Sequence, residues 1–459
     1  MKHSMTPLTG RTRLTAAFLN RFHHPAQVVV TAFGLMILLG TILLLQPIAT
    51  TGRAATLTEA LFTATSAVTV TGLALVDTNS HWSVFGEVVI AGLVQVGGLG
   101  IMTFATIFAI LIGKRVGLRF RLLAQAETSM LSMADVRNVA RRVVVFSLVC
   151  EAVVAAVLAG RFMIAYGTQP GQAVYYGVFH AISAFNHAGF ALWPDGLSRF
   201  VGDPWVSLTV AAAVIVGGLG FPVVFELRRN WLHPSRWTIL TKLTVGMSVV
   251  LLTAGTLLLL ITEWHNPKTF GPLDEPGKLL AAFFASTMTR SCGLNTVDIA
   301  AMDASSLFVS DVLMFIGGGS ASTAGGIKVT TFGVLAFVIW AELRGEPKVN
   351  IGSRRVPDAT QRQAIAISLV SVALVALATY VLMTMSGLGL DKVLFEVISA
   401  FSTTGLSAGI SPELHPVGQL LLALLMFIGR TGPLTLGSAL ALKEHTRHYE
   451  LPEERVIVG

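Results

Sequence analysis

Charge is what this chain has least of: only 12% of its 459 residues are Asp, Glu, Lys or Arg, about half the ~25% usual for a soluble domain. A chain of this length cannot cover itself with so few charges without leaving wide apolar patches in water, which excludes a cytosolic multidomain protein. Cysteine is equally scarce. Cys150 and Cys292 stand at no disulfide or metal-ligand spacing, so a disulfide scaffold and redox chemistry are not expected. Nucleotide signatures are missing, with neither a GxGxxG turn after a strand nor a P-loop lysine string. The eleven His are scattered and form no Ser-His or HExxH constellation, which removes the groups an intramembrane enzyme needs. Polar low-complexity tracts are absent too, so no linker or separate soluble domain is marked. The net charge of +7 sits between apolar runs without aromatic interleaving, a pattern of membrane orientation and not of nucleic-acid binding.

Long apolar runs, by contrast, are abundant: 53% of residues are hydrophobic and the mean hydropathy is +0.71. Eight stretches supply the ~20 residues that a crossing helix needs: 26–46, 86–112, 143–165, 205–226, 240–262, 308–341, 364–386 and 417–442. The first is too long for a signal peptide and is expected to be retained. The chain therefore reads as an all-α polytopic membrane protein with both termini on one side. A cytoplasmic N-terminus makes 1–25, 113–142, 226–242, 342–363 and 443–459 the inner segments. They hold 23 of the 32 basic residues and only 10 of the 25 acidic ones, which orients the chain in a plasma membrane. Four shorter runs, 58–68, 173–185, 278–288 and 391–401, fall in the outer connections. At ~1.5 Å per residue each reaches about halfway across the bilayer. Irregular backbone after such a half-helix survives at membrane depth only where protein encloses it or a watery cavity bathes it.

These pieces repeat. With Gly72, Gly189, Gly293 and Gly405 in one column, Phe62, Phe179, Phe283 and Phe395 stand ten residues earlier, and Ser66, Ser183, Thr287 and Ser399 six earlier. A second column follows each glycine: VGGLG at 96, VGGLG at 216, IGGGS at 316 and IGRTG at 428. Four repeats result, 26–115, 140–229, 238–344 and 362–443, between an N-terminus at 1–25 and a cytoplasmic tail at 444–459. Each has the order first span (M1), pore helix, glycine strand, second span (M2). Four half-helices converging on one axis would aim the negative ends of their dipoles at a common point, where a cation is favoured. Short strands after them would turn backbone carbonyls inward to replace the hydration shell of an ion, and glycine permits the torsions this requires.

TRSCGLNTVD around Gly293, GGGSASTAGGIKVTTF at 317–332 and FIGRTGPLTL at 427–436 resemble the Ktr/Trk/HKT superfamily of potassium transporters. The resemblance covers essentially the whole chain, and eight spans make it nearest to the Ktr-type bacterial membrane subunit. It implies K⁺ as the transported ion, with Na⁺ as a possible second, and no organic cofactor. It also implies a four-strand selectivity filter: Val70, Thr71 and Gly72; His187, Ala188 and Gly189; Ser291, Cys292 and Gly293; Thr403, Thr404 and Gly405. Gly72, where plant relatives with Na⁺ permeation have Ser, favours K⁺. The side chains of Cys292 and His187 are expected to face away from the ion.

Five glycines stand among the ten residues from Gly317 to Gly326, and at ~1 kcal/mol each relative to Ala they should break the third M2 into a loop. In the family such a loop resembles an intramembrane gate, here Gly317, Gly318, Gly319, Ser320, Ser322, Thr323, Gly325 and Gly326. Two intramembrane cations accompany it. Arg430 is expected to donate to loop carbonyls or hydroxyls and hold the loop closed, whereas Lys328 either joins the loop or snorkels to the inner surface. Arg290 is expected to brace the filter from behind. The resemblance further implies a homodimer and a soluble nucleotide-binding regulatory ring. The basic loops 114–142 and 344–362 offer its docking surface, although the positive-inside rule accounts for the same charges. An ion-coupled (Na⁺ or H⁺) symporter is the alternative; it would place carboxylates inside the membrane, where Glu151, near the inner end of its span, is the clearest acid.

Overall fold

The computed structural model describes residues 25–111, 136–352 and 354–432. Outside them lie residues 1–24 of the expected N-terminus, residues 112–135 of the basic inner segment, the end of the last span and the tail at 444–459. The chain forms helices in four consecutive sets. The first is α1 (Pro25–Leu44), the half-helix α2 (Leu57–Val68) and α3 (Val84–Leu111). The second is α4 (Val136–Tyr166), half-helix α5 (Pro170–Phe185), then α6 (Pro204–Leu219) and α7 (Phe221–Asn230). The third is α8 (Ile239–Glu263), half-helix α9 (Glu275–Met288), α10 (Ala304–Phe315) and α11 (Val329–Leu343). The fourth is α12 (Asp358–Ser386), half-helix α13 (Leu390–Phe401) and α14 (Pro416–Thr431). A two-stranded antiparallel hairpin, β1 (Asn350–Ile351) and β2 (Arg354–Arg355), lies in the basic segment between the third and fourth sets.

Local chemistry starts the half-helices where the sequence expects them. Thr56 and Glu59 form a reciprocal capping box at α2, and the Asp274 carboxylate accepts the Gly277 amide at α9, each satisfying donors that a helix start leaves open. Pro170 opens α5, where a missing N–H costs nothing. At α6 the cap is Asp203. Burial pushes its carboxyl up, but hydrogen bonds from Arg161, Tyr166 and the Trp205 amide outweigh that and hold it below the ordinary carboxylate range.

In three sets the first helix is continuous: α4, α8 and α12 are each long and apolar enough to cross a membrane unbroken, whereas the described apolar part of α1 is shorter. Every second helix, in contrast, is interrupted at one column. α3 is kinked at Gly100 (φ 74°), α6 turns into α7 by 100° at Gly220 (φ 91°), and α14 ends at Gly432 (φ 83°). The third set replaces the turn with the whole stretch between α10 and α11. Only this third break is marked by composition, and 86–112 and 205–226 read in the sequence as continuous spans. Small-residue strings such as VGGLG in an apolar run read as helix packing, yet at Gly100, Gly220 and Gly432 φ is positive, which a Cβ disfavours.

The four sets close into a ring. α3 packs on α4, α6 on α9, α10 on α13, and α14 returns to α2. Apolar clusters fill the space between the helices, and the outer surface is apolar too. Leu35, Leu38, Leu39 and Ile42 on α1, and Val249, Val250, Leu257 and Ile261 on α8, are exposed. Thr65, Ser66, Thr69 and Thr71 in the first set, and Ser399, Ser402, Thr403 and Thr404 in the fourth, are buried at the centre. An apolar skin around a polar axis suits lipid outside and a polar species within.

Candidate ion pathway

The half-helices end because the backbone reverses two residues before each column glycine. Val70 (φ 58°), His187 (φ 66°), Ser291 (φ 79°) and Thr403 (φ 47°) all adopt left-handed torsions. Such torsions cost of order 1–3 kcal/mol each outside glycine and persist where the surroundings over-determine them. Among the described residues only one other non-glycine does this, Ala321 in the interrupted third M2. Backbone strain is thus confined to the four strands and the loop beneath them. In sets one, two and four the strand is pinned alike: the amides of Thr71, Ala188 and Thr404 donate to the carbonyls of Ser66, Ser183 and Ser399 at 2.7–2.9 Å. The Gly72 and Gly405 amides reach the Ser66 and Ser399 hydroxyls at 2.9 and 3.0 Å. The third set departs, with the Cys292 amide bonded to the Met288 carbonyl at 2.9 Å.

The strands meet edge to edge in a closed cycle. A methyl group on Gly72 would lie 2.9 Å from the Gly189 Cα, one on Gly189 2.7 Å from the Gly293 Cα, and one on Gly293 2.8 Å from the Gly405 Cα. One on Gly405 would lie 1.8 Å from the Thr71 carbonyl oxygen and 3.1 Å from the Gly72 Cα. Three of these glycines have positive φ; Gly293 does not, and there glycine is required by close approach alone. Above the ring opens a cavity of about 350 Å³ lined by all four glycines and by Asp77, Asp298 and Ser407.

Side chains of the strands turn outward into protein. Cys292 is fully buried in an apolar cluster with Phe284, Met288 and Leu294. The His187 ring sits between two carbonyls, Nδ1 3.0 Å from the Ser291 oxygen and Nε2 2.8 Å from the Val214 oxygen. Arg290 points away from the axis toward α8, donating to the Ser248 carbonyl at 3.3 Å and hydroxyl at 3.1 Å.

Immediately below lies the loop from Gly317 to Gly326. Its Gly325 amide donates to the Ser291 hydroxyl at 3.0 Å, and a methyl on Gly325 would overlap the Thr403 hydroxyl at 2.0 Å. On the second set's side, the Gly319 amide donates to the Gly218 carbonyl at 2.8 Å and the Thr323 hydroxyl to the Phe185 carbonyl at 3.3 Å. The loop folds on itself through Gly317 to Ile327 at 2.8 Å, Val329 to Gly318 at 3.0 Å, and the Ser320 and Thr330 hydroxyls at 2.7 Å. The Ser322 hydroxyl accepts the Ala324 amide at 3.2 Å, and Gly326 packs on Ser402. Arg430 locks this arrangement: its guanidinium donates to the Thr323 carbonyl and, at 2.6 Å, to the Gly97 carbonyl of α3. One side chain thereby joins the first, third and fourth sets. Lys328 donates to the Ala324 carbonyl at 2.5 Å.

The second column explains how strand and break stay together. A methyl on Gly97, Gly217 or Gly429 would strike the last carbonyl of a half-helix, Val68, Phe185 or Phe401, at 2.0, 2.3 and 1.7 Å. The next column holds Gly98, Gly218, Gly318 and, in the fourth set, Arg430. Four acids were misjudged from sequence or went unremarked. Glu151 stands mid-helix on α4, not near an inner end, and takes 3.0 Å hydrogen bonds from Gln95 and from Asn186 at the end of α5. Asp311 on α10 is buried, with Oδ1 unpartnered among the described residues. Glu396 on α13 and Glu87 on α3 are also buried. Asp311, Glu396 and Glu87 each interrupt an apolar run only once, too weak a signal in the sequence.

Comparison with known proteins agrees with this architecture. A family model described as TrkH, cation transport protein, matches residues 10–446. The chain is 39% identical over 435 residues to Ktr system potassium uptake protein B of Bacillus subtilis (strain 168), covering 95% of this chain and 97% of that one. It is 40% identical to the Vibrio alginolyticus protein of the same name, covering 95% of both. The crystal structure of the potassium transporter TrkH from Vibrio parahaemolyticus superposes with a TM-score of 0.72 at 18% identity, over 91% of this chain and 84% of that one. A fourfold helical ring with matches along nearly its full length leaves no other assignment: the chain belongs to the Trk/Ktr family of membrane cation transport proteins.

Proposed function

We propose that this chain is the K⁺-translocating membrane subunit of a Ktr-type potassium uptake system. Carbonyls of Val70 to Gly72, His187 to Gly189, Ser291 to Gly293 and Thr403 to Gly405 coordinate the ion in place of water. The observation that carries this reading is the closed cycle of four strained strands around one axis. Half-helix C-termini surround it, and their partial negative charge favours a cation without binding it irreversibly. The loop from Gly317 to Gly326 with Lys328 is the gate, and Arg430 holds it shut by bonding Thr323 and Gly97. Relatives whose names state potassium uptake support K⁺ as the ion. The test is ion uptake in cells lacking their own K⁺ transport. The native chain should restore K⁺ uptake, and Gly72→Ser should shift preference toward Na⁺; no uptake, or a preference untouched by the substitution, contradicts the reading.

The same proposal places the chain in the plasma membrane with cytoplasmic termini, as a homodimer docked on a nucleotide-binding regulatory ring. The exposed Arg354 and Arg355 of the β hairpin supply basic surface for that ring. A second reading, coupling to Na⁺ or H⁺, is favoured by one observation, the buried carboxyl of Asp311. If it holds, Asp311→Asn should abolish any dependence of K⁺ uptake on Na⁺ or pH while leaving the ion preference unchanged.

A further inference from the structure

The fourfold pattern carries a twofold one within it. Nine residues before the column glycines stand Thr63, His180, Phe284 and Glu396. In the second and fourth sets this side chain ties the half-helix to the strand leaving the ring, at the residue three past the glycine. His180, fully buried, has Nδ1 2.8 Å from the Tyr176 carbonyl, which fixes the tautomer so that Nε2 accepts the Leu192 amide at 3.3 Å. Trp193 stacks on its other face at 4.4 Å between centroids. Glu396, also fully buried, accepts the Ala408 amide at 3.1 Å, the Ser407 hydroxyl at 2.8 Å and the Ser411 hydroxyl. The other two sets lack this tie among the described residues. The Thr63 hydroxyl has no partner there, and Phe284 has no polar atom. The third set's outgoing strand is held instead from its neighbour, by the Leu197 amide on the Asn295 carbonyl at 2.8 Å.

In the cycle Gly72, Gly189, Gly293, Gly405, the tied sets face each other across the axis. One way for a carbonyl ring to discriminate between ions of the same charge is to hold its oxygens against collapse onto the smaller one. Two opposed ties limit that collapse along one diagonal. We infer that His180 and Glu396 are positioning residues of the filter, setting its preference for K⁺ over Na⁺ by anchoring the second and fourth strands. This rests on the filter reading above.

The test is the ratio of K⁺ to Na⁺ uptake in K⁺-transport-deficient cells, compared at equal amounts of chain in the membrane. Glu396→Ala and His180→Ala should each lower the ratio about tenfold, the effect of losing a buried bond of ~1.4 kcal/mol. Glu396→Gln, which keeps an oxygen for the Ala408 amide, should stay within about twofold of native. Thr63→Ala and Phe284→Leu, in the same column without the tie, should also stay within about twofold. Glu396→Asp withdraws the oxygens by one methylene, lowers the ratio on this account, and carries the test where an alanine variant does not reach the membrane. An unchanged ratio in the His180 and Glu396 variants, with Gly72→Ser still altering it, overturns this inference and leaves the filter standing. A ratio unmoved by Gly72→Ser as well overturns the filter reading itself.

Discussion

Two layers of this molecule, a few residues apart along the axis, obey different symmetries. The strand ring is nearly fourfold: a residue with left-handed torsions stands two before each glycine, and each glycine is pressed on the next. The layer beneath, where the second helices break, is not. The first and second sets break at Gly100 and Gly220, the fourth set's helix ends at Gly432, and the third spends the stretch from Gly317 to Gly326 on a loop beneath the strands. In the fourth set the column of Gly98, Gly218 and Gly318 is filled by Arg430. On the proposed function, recognising a spherical ion asks only for equivalent oxygens on all sides, so symmetry costs nothing in the ring. Blocking and unblocking a path asks for one element that moves relative to the others, which symmetry would forbid.

The largest expected effect comes from breaking the symmetric layer. Gly405→Ala sets a Cβ 1.8 Å from the Thr71 carbonyl at φ 90°, and K⁺ uptake should fall about a hundredfold or more. Breaking the asymmetric layer should act in the opposite direction. Arg430→Ala removes the donor to Thr323 and Gly97, and K⁺ flux should rise up to about tenfold in an uptake assay, with ion preference unchanged. Equal or lower flux would separate Arg430 from gating. Gly97→Ala tests the contact between layers. With Val68 oxygen 2.0 Å from the new methyl, the purified chain should lose about 1–3 kcal/mol of stability in detergent unfolding. The smallest effect lies away from both layers, at Asp203. Its carboxyl is held low in the folded chain, so its contribution is present above the unfolded value near ~3.9 and fades as pH falls through the folded one. Asp203→Asn should therefore destabilise the chain at neutral pH and flatten the acid side of its stability profile.

Much of the upper layer was legible in the sequence, and the reason is periodicity at long range. Half-length apolar runs at 58–68 and 391–401 became Leu57–Val68 and Leu390–Phe401, because caps and apolar content are local properties. The glycine column was visible because it recurs four times. The lower layer was legible only where composition was extreme, in the glycine-rich third M2. The bends at Gly100 and Gly220 are not legible because the VGGLG strings at 96 and 216 read as small-residue helix packing as readily as a break. Arg430 was expected to reach the loop, but its second acceptor, Gly97, stands 333 residues earlier in the chain and is joined to it only by ring closure. The ties of His180 and Glu396 were hidden for a like reason, since the two side chains differ in chemistry and share only a position.

The central claim is that a single file of cations passes through the ring formed by Gly72, Gly189, Gly293 and Gly405. Anomalous diffraction from crystals grown in Rb⁺ tests it most directly. The account predicts Rb⁺ on the axis, within the carbonyls of those four strands. Rb⁺ bound off the axis, beside Glu151 or Asp311 with the ring empty, would contradict it.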